Sequence, residues 1–294
     1  MNKLQSQIHE YLKTQYKMAT GKEMVCQKSL SPIRSKYYFE KLEDNFYEQM
    51  SEQTRSFFKA GSGEELKDKM FALRSSSAMT FNLFGNDSIT IKTNEILGAG
   101  EYRIEYEKQL DTLQKSRAPA NLDAFLEKDN ELCFCEMKLF EPFYHKTSFQ
   151  KELSSSYEDM ERYIYLDSAY SFKESIEKLK ASGIKRYDAC QMFKHTLGIY
   201  NYSRKNELKG KNITLLNCIW TLNESLKDKK LDQLYTQISL EERNGFNKFI
   251  ECMFNPINAF SKLGIDFSIK LITEKDLESI LDLSEEKRNW LKRY

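Results

Sequence analysis

The chain has 294 residues, of which 40% are hydrophobic and 30% are charged, and its formal net charge is +1. This composition is typical of a globular protein and excludes a disordered or fibrous chain. The near-zero net charge argues neither for nor against a nucleic-acid partner, so any basic surface has to be local. The sequence has no signal-peptide pattern and no apolar run of about 20 residues, and its cysteines form no C-x-x-C pair. We therefore predict free thiols and a cytoplasmic protein without a membrane span.

The N-terminal part of the chain has helical periodicity. Apolar residues recur at helical spacing over 2–18, 35–59 and 64–83, and glycine-containing breaks stand at 60–63 and 85–87. Aromatic side chains are concentrated in the second of these segments, where core packing explains them better than cofactor binding.

Strands are predicted from about residue 101, because Tyr102, Ile104 and Tyr106 alternate with charged residues. Further strands are predicted over 122–126, 132–139, 212–220 and 267–272. Helices are predicted over 149–165, 170–182, 186–201, 223–262 (interrupted near Asn255-Pro256) and 274–293.

This order predicts a single α/β domain over 1–294. Residues 1–85 form a mainly helical N-terminal extension, residues 100–273 form the α/β core, and a charged helix over 274–294 closes it. The first core strands can pair antiparallel, and a later strand can join the sheet through a helical crossover.

A β-hairpin over 121–138 is the most informative segment. If its polar turn at 128–131 closes symmetrically, Asp123 lies opposite Glu136, with Cβ atoms about 4.5–5.5 Å apart. Strand side chains alternate with period two, so Lys138 lies on the same face as Glu136. Two opposed carboxylates destabilise a sheet unless their charge is compensated, and a divalent cation would compensate it.

Asp123 and Glu136 are suitable ligands for Mg²⁺, which prefers oxygen ligands and usually keeps several waters. Lys138 would position the attacking water or stabilise the charge of a phosphoryl transition state. The alternative is a solvated polar face, on which Lys138 simply pairs with Glu136. Phe125 and Phe134 on the same predicted face favour the metal site, because carboxylates beside bulky aromatics are costly without a partner.

These residues resemble the PD-(D/E)XK nuclease superfamily, in which an Asp is followed about a dozen residues later by E-x-K. The chain is most similar to one bacterial branch of restriction-endonuclease-like proteins, with the pattern S-S-x-A, N-x-x-G, an acidic strand, N-L-D and E-x-K-x-x-E-P-F. The matching segments are Ser75-Ser76-Ser77-Ala78, Asn82-Leu83-Phe84-Gly85, Glu105-Tyr106-Glu107, Asn121-Leu122-Asp123 and Glu136-Met137-Lys138-Leu139-Phe140-Glu141-Pro142-Phe143. Leu122 stands where the superfamily motif has Pro.

The resemblance implies a restriction-endonuclease-like αβββαβ core, which is a central mixed sheet flanked by helices. It also implies Mg²⁺-dependent phosphodiester cleavage, with Mn²⁺ as a substitute ion, and DNA as the substrate. Asp123, Glu136 and Lys138 would be the catalytic residues, and Asp123 and Glu136 the metal ligands.

Further site residues follow from the same resemblance. A third acid would be Glu105 or Glu107, although a solvent-exposed acidic strand face is an equal alternative. Glu141 would brace the site, and Gln191 on the 186–201 helix would contact a ligand or phosphate. His195 lies on the same helix face as Gln191, but a hydrogen bond in the core is the favoured role for it.

Two basic segments are candidates for DNA contact, at 173–186 and 203–211, although both are equally ordinary as solubilising surfaces. The leading hypothesis is a Mg²⁺-dependent DNA endonuclease, acting as a restriction or defence enzyme. An inactive nuclease-fold protein that binds DNA or a protein is the alternative, because the superfamily has members without nuclease activity. Hydrolysis of RNA or nucleotides is a third hypothesis. Double-strand cleavage usually needs two active sites, which would require a homodimer.

Overall fold

The computed structural model describes residues 3–27, 36–61, 64–114, 119–144 and 148–294. A mixed sheet of six strands, arranged in sequence order, runs through the described part of the chain. Strands β1 to β4 pair antiparallel, and β5 and β6 continue the sheet parallel to β4. The strands are β1 (Ser88–Ile91), β2 (Gly100–Leu110), β3 (Ala120–Lys128), β4 (Glu131–Lys138), β5 (Asn212–Ile219) and β6 (Asp266–Thr273). The sequence predicts all of them except the four-residue β1.

Eleven α-helices are present among the described residues. They are α1 (Lys3–Thr20), α2 (Glu52–Ala60), α3 (Ser76–Phe84), α4 (Glu141–Tyr144), α5 (Phe149–Glu152), α6 (Leu166–Ala181), α7 (Ala189–Lys205), α8 (Lys229–Cys252), α9 (Phe254–Ser261), α10 (Glu274–Ile280) and α11 (Glu285–Leu291). No helix in these ranges is long and apolar enough to cross a bilayer. The six cysteines are free, as predicted.

The long helix predicted over 35–59 is wrong, because tertiary contacts replace it with an extended segment. Phe39 donates its backbone N–H to the Phe71 carbonyl, and the Asn45 side chain donates to the carbonyls of Met70 and Ala72. Only Glu52–Ala60 is α-helical, and it begins where the Ser51 side chain accepts the Thr54 N–H.

Three other helix predictions are too long. The segment 64–83 is α-helical only in α3, which starts at the Ser75 cap, and part of the predicted break before it, residues 62–63, lies outside the described ranges. Residues 149–165 are divided into α5 and two short 3₁₀ turns. The two 3₁₀ turns each have their own side-chain cap. Residues 274–293 form two helices, because Leu281 bridges to Ile91 and Ser284 caps a new start.

Both faces of the sheet are buried, as expected for strands covered by helices on two sides. One face packs on α1, α3 and α11, and the other packs on α6, α7 and α9. In β2, Tyr106 faces the α3 side and Leu110 faces the α7 side; in β3, Ala124 faces the α3 side and Leu122 faces the α7 side. Residues two or four positions apart share a face of a regular strand, so the side chains of β2 and β3 switch faces at Glu107 and Asp123.

Candidate active site

The predicted hairpin is confirmed. Lys128 pairs with Glu131 and Ala124 pairs with Cys135, so the paired register ends one residue before Asp123 and Glu136. The backbone N–H of Met137 donates to Oδ2 of Asp123 at 2.6 Å, which ties this carboxylate to β4. Asp123 therefore lies at the place where β2 and β3 change face.

A cavity of about 520 Å³ opens between this part of the sheet and the segment that leads into α3. We call it the front cavity. Its charged lining residues are Glu65, Lys69, Arg74, Glu107, Asp123, Glu136 and Glu141. Carboxylates outnumber cations in this set, so the front cavity is an acidic polar cleft.

Asp123 has the least compensated charge in the front cavity. Burial, followed by the charges of Glu136 and Glu107, raises the pKa of Asp123 well above its usual value. The Met137 N–H binds its Oδ2 atom, and its Oδ1 atom accepts no hydrogen bond from any described residue. A cation in the front cavity would relieve this repulsion.

The pKa of Glu136 is shifted in the opposite direction to that of Asp123. Its Oε1 accepts hydrogen bonds from Lys138 Nζ at 2.7 Å and Gln191 Nε2 at 2.9 Å, and its Oε2 accepts one from His195 Nε2 at 2.9 Å. Burial alone would raise its pKa, but the Lys138 charge and the His195 hydrogen bond outweigh burial and lower it to about 2. Glu136 is therefore ionised although only 3% of it is exposed.

Lys138 lies behind Glu136. Besides Glu136, its Nζ contacts Gln191 Oε1 at 2.5 Å. It lines a second cavity of about 150 Å³, which we call the rear chamber, whose charged lining residues are Lys138, Glu141, Glu152, Arg186, Asp188 and Glu242. Burial would lower the pKa of Lys138, but Glu136, Glu141 and Asp188 raise it above its usual value, so the ammonium remains charged.

Helix α7 brings two side chains to Glu136. Asp188 caps the helix by accepting the Gln191 N–H at 2.9 Å, which fixes where its first turn begins. Gln191 lies beside Glu136, where the sequence places it. His195 follows one turn later and is fully buried, as predicted, but its hydrogen bond is to a site carboxylate. Its i, i+4 spacing from Gln191 is the sequence signal for this contact.

The two candidates for the third acid lie in different places. Glu105 pairs with Arg103 at 3.0 Å and with Lys108 at 2.7 Å, on a surface away from the front cavity. Glu107 lines the front cavity and accepts a hydrogen bond from Asn121. Burial raises the pKa of Glu107 to about 7, and its backbone has a positive φ of 54°. Backbone strain of this kind is frequently found at functional sites.

Two further acids complete the lining. Glu141 braces the end of β4, since its Oε2 accepts the N–H groups of Leu139 and Phe140, both at 2.9 Å. Glu65 is 5% exposed, and it accepts hydrogen bonds from Ser77 at 2.9 Å and Lys69 at 2.8 Å. Glu65 is not identifiable as a site residue from the sequence, because no local pattern links it to strands that follow tens of residues later.

The two basic segments proposed for DNA contact lie elsewhere. In 173–186, Lys178 pairs with Glu174 at 2.7 Å and Lys180 with Glu158 at 2.9 Å. In 203–211, Lys211 donates to the Asp129 carbonyl in the hairpin turn. This turn precedes the first residue of β4, whereas Glu136 lies near the other end of that strand. Neither segment lines the front cavity among the described residues.

The donor set is compatible with a hard divalent cation. Within the described ranges no three His, Cys, Asp or Glu side chains form a complete metal site. Mg²⁺ needs only one or two carboxylates because it keeps several waters. Asp123 offers Oδ1, and Glu136 offers the second lone pair of Oε2, so both could hold such an ion.

Comparison with known proteins gives one family. A family model described as restriction endonuclease associating with ARP matches residues 5–290. No curated protein and no solved structure matches the chain. Because the family model spans nearly the whole sequence, the chain belongs to the family described as restriction endonuclease associating with ARP.

Proposed function

We propose that this protein is a metal-dependent DNA endonuclease that hydrolyses phosphodiester bonds in restriction or defence. The observation that carries the proposal is that Asp123 and Glu136 line one cavity from adjacent strands, with Asp123 bound to the Met137 N–H and Lys138 bound to Glu136. Membership of a restriction-endonuclease family supports DNA as the substrate.

The arrangement of the elements supports a restriction-endonuclease-like core. Helix α3, strands β2, β3 and β4, helix α7 and strand β5 follow one another in the order αβββαβ. The three successive strands are antiparallel and the last is parallel to β4, so the central sheet is mixed. We infer that these elements form the nuclease core and that the remaining helices are additions to it.

The side chains of the site would have different roles in phosphodiester hydrolysis. Mg²⁺, or Mn²⁺ in its place, would acidify a water molecule and neutralise charge on the phosphoryl group when held by Asp123 and Glu136. Lys138 and His195 keep Glu136 ionised, and the Gln191 hydrogen bond helps to orient it. Lys69 and Arg74 line the same front cavity and would attract the substrate phosphate.

A nicking assay on supercoiled DNA tests this function. We expect wild-type protein to nick with Mg²⁺ or Mn²⁺, and to stop when a chelator is added. Asp123→Asn should reduce the rate by at least about 100-fold, the scale of losing one key electrostatic contact. The matched control is Asp167→Asn, since Asp167 pairs with Arg204 on a different surface. Wild-type cleavage that is unaffected by the chelator would rule out the proposal.

A binding protein of the same fold is the second candidate. It is favoured by the three donors that already satisfy most of the Glu136 carboxylate, and by the lack of a three-residue metal cluster among the described residues. It predicts DNA or partner binding that does not depend on Mg²⁺, and no thermal stabilisation by Mg²⁺ or Mn²⁺. Calorimetry that detects metal binding lost in Asp123→Asn would exclude it.

Two finer assignments belong to the same proposal. Comparing DNA and RNA substrates separates a deoxyribonuclease from an enzyme that acts on RNA. Each chain carries one set of Asp123, Glu136 and Lys138, so we propose a homodimer if both strands of a duplex are cut. Sedimentation of the protein with and without DNA measures that state.

A further inference from the structure

We propose that His195 is a positioning residue that holds Oε2 of Glu136 in the orientation needed to bind a divalent cation from the front cavity. This inference rests on the proposed function, because it concerns the same carboxylate. It adds to that site a residue for which a core role was expected from the sequence.

The geometry assigns one donor to this oxygen. Among the described residues, Lys138 and Gln191 both bind Oε1 and only His195 binds Oε2, with Nε2 to Oε2 at 2.9 Å. A carboxylate can only accept, so His195 donates through an N–H at Nε2. Without His195, Oε2 would be a buried oxygen with no protein partner, and the carboxylate could rotate about Oε1.

Of the two carboxylate oxygens of Glu136, Oε2 is the one with a lone pair available for a metal ion. Each carboxylate oxygen has two lone-pair sites. Oε1 uses both, for Lys138 and Gln191, whereas Oε2 uses one for His195 and keeps one. The remaining site of Oε2 is therefore the position on Glu136 that is open to a cation, and His195 determines its direction.

A comparison with His9 separates this role from ordinary core packing. His9 is also buried, but its Nδ1 contacts the Gln5 carbonyl one turn away in its own helix, and its ring stacks on Tyr37. His195 instead reaches from α7 to a carboxylate on β4, and its Nδ1 has no hydrogen-bond partner among the described residues. The contact with Glu136 is thus the main polar interaction of its ring.

Metal-binding calorimetry with Mn²⁺ tests the inference independently of cleavage. His195→Phe keeps an aromatic ring but removes the donor, and we expect it to weaken Mn²⁺ binding by about 10–100-fold, the usual effect of losing a partner of a metal ligand. His195→Gln keeps an N–H donor of similar reach, and should recover most of that affinity. Thr196→Val is the matched control, because Thr196 is buried next to His195 and its hydroxyl bonds only to the Met192 carbonyl.

The outcomes are distinct. If wild-type protein does not bind Mn²⁺, the proposed function fails. If wild type binds and His195→Phe binds equally well, the proposed function stands and this inference is overturned. If His195→Phe does not fold, His195→Asn replaces it, since its amide is too short to reach Oε2. Weaker binding by His195→Asn than by His195→Gln then supports the role, and equal binding overturns it.

Discussion

The front cavity and the rear chamber lie on either side of Glu136 and are both rich in carboxylates, but their charges are satisfied differently. In the rear chamber the Lys138 ammonium lies among Glu136, Glu141 and Asp188. In the front cavity Asp123 is repelled by Glu136 and Glu107. The rear chamber therefore carries a cation bound to Glu136, whereas under the proposed function the charge of Asp123 would be compensated by a bound metal ion.

The pKa values of the two site carboxylates express this difference. The pKa of Asp123 is raised well above its usual value, while that of Glu136 is lowered to about 2, although the two residues line the same cavity from adjacent strands. Burial raises the pKa at both positions; at Asp123 the charges of Glu136 and Glu107 add to it, whereas at Glu136 the Lys138 charge and the His195 hydrogen bond outweigh it. Lys138 thus compensates the charge of Glu136, and under the proposed function a metal ion would compensate that of Asp123.

Removing the rear cation should have the largest effect on stability. Lys138→Met keeps most of the side-chain volume but leaves Glu136 buried without its ammonium partner. Breaking a buried ion pair on one side typically costs about 3–5 kcal/mol, and we expect this loss in the free energy of unfolding measured in urea near neutral pH. In the wild type, Glu136 contributes stability above its unfolded pKa of about 4.5 and loses it as the pH falls toward 2. The deficit should therefore shrink in acid.

An exposed ion pair gives the matched comparison. Lys178 pairs with Glu174 at 2.7 Å, and its side chain is 45% exposed. Lys178→Met should cost less than about 1 kcal/mol, because solvent screens such pairs. Equal losses for Lys138→Met and Lys178→Met would contradict the special position of the rear cation.

Glu242 is the acid that the rear chamber satisfies least. It is 6% exposed, lines the chamber from α8, and accepts no hydrogen bond from any described residue. Burial, and then the charge of Glu141, raise its pKa to about 8, against the opposing charges of Lys138 and Arg243. Because the folded state holds this proton more tightly, stability falls as the pH rises from about 4.5 to about 8.

Glu242→Gln should therefore stabilise the protein in a pH-dependent way. We expect a gain of about 1–3 kcal/mol at about pH 9, the usual cost of an unsatisfied buried polar group, and little gain at about pH 4. Urea unfolding at both pH values measures it. Glu251→Gln reports the effect of removing an exposed charge from the same helix. A gain of the same size at both pH values would show that ionisation of Glu242 is not its cause.

The hairpin could be predicted from sequence because its information is local. A polar turn and a period-two pattern fix the register from Lys128–Glu131 to Ala124–Cys135, and this part of the prediction is confirmed. The position of Gln191 beside Glu136 is consistent with the superfamily resemblance from which its site role was inferred, and that role stays a prediction.

The failures come from contacts between distant segments. The segment around Phe39 and the short 3₁₀ helix that ends at Asn45 are held by backbone groups near residues 70–72, and these contacts override the predicted α-helical periodicity. The approach of Glu65 to the sheet has the same origin. The change of face at Glu107 depends on how β2 and β3 pack between two helical layers, and a regular alternation rule cannot anticipate it.

The change of face at Glu107 predicts different effects of substituting Glu105 and Glu107 on Mn²⁺ affinity, and these are the smallest effects that we predict. Glu105 and Glu107 are equivalent in a regular strand, but only Glu107 lines the front cavity, while Glu105 pairs with Arg103 and Lys108. Glu105→Gln should leave Mn²⁺ affinity and nicking unchanged and alter stability by less than about 1 kcal/mol, because it disturbs only partly exposed ion pairs. Glu107→Gln removes one of the two charges that repel Asp123, so it should lower the pKa of Asp123 and reduce the attraction of the front cavity for a cation. We expect Mn²⁺ affinity to fall by about 10-fold, as calorimetry on both variants would measure. If Glu105→Gln weakens Mn²⁺ binding as much as Glu107→Gln, the acidic strand acts as a whole, and the contrast between the front cavity and the surface beside it does not hold.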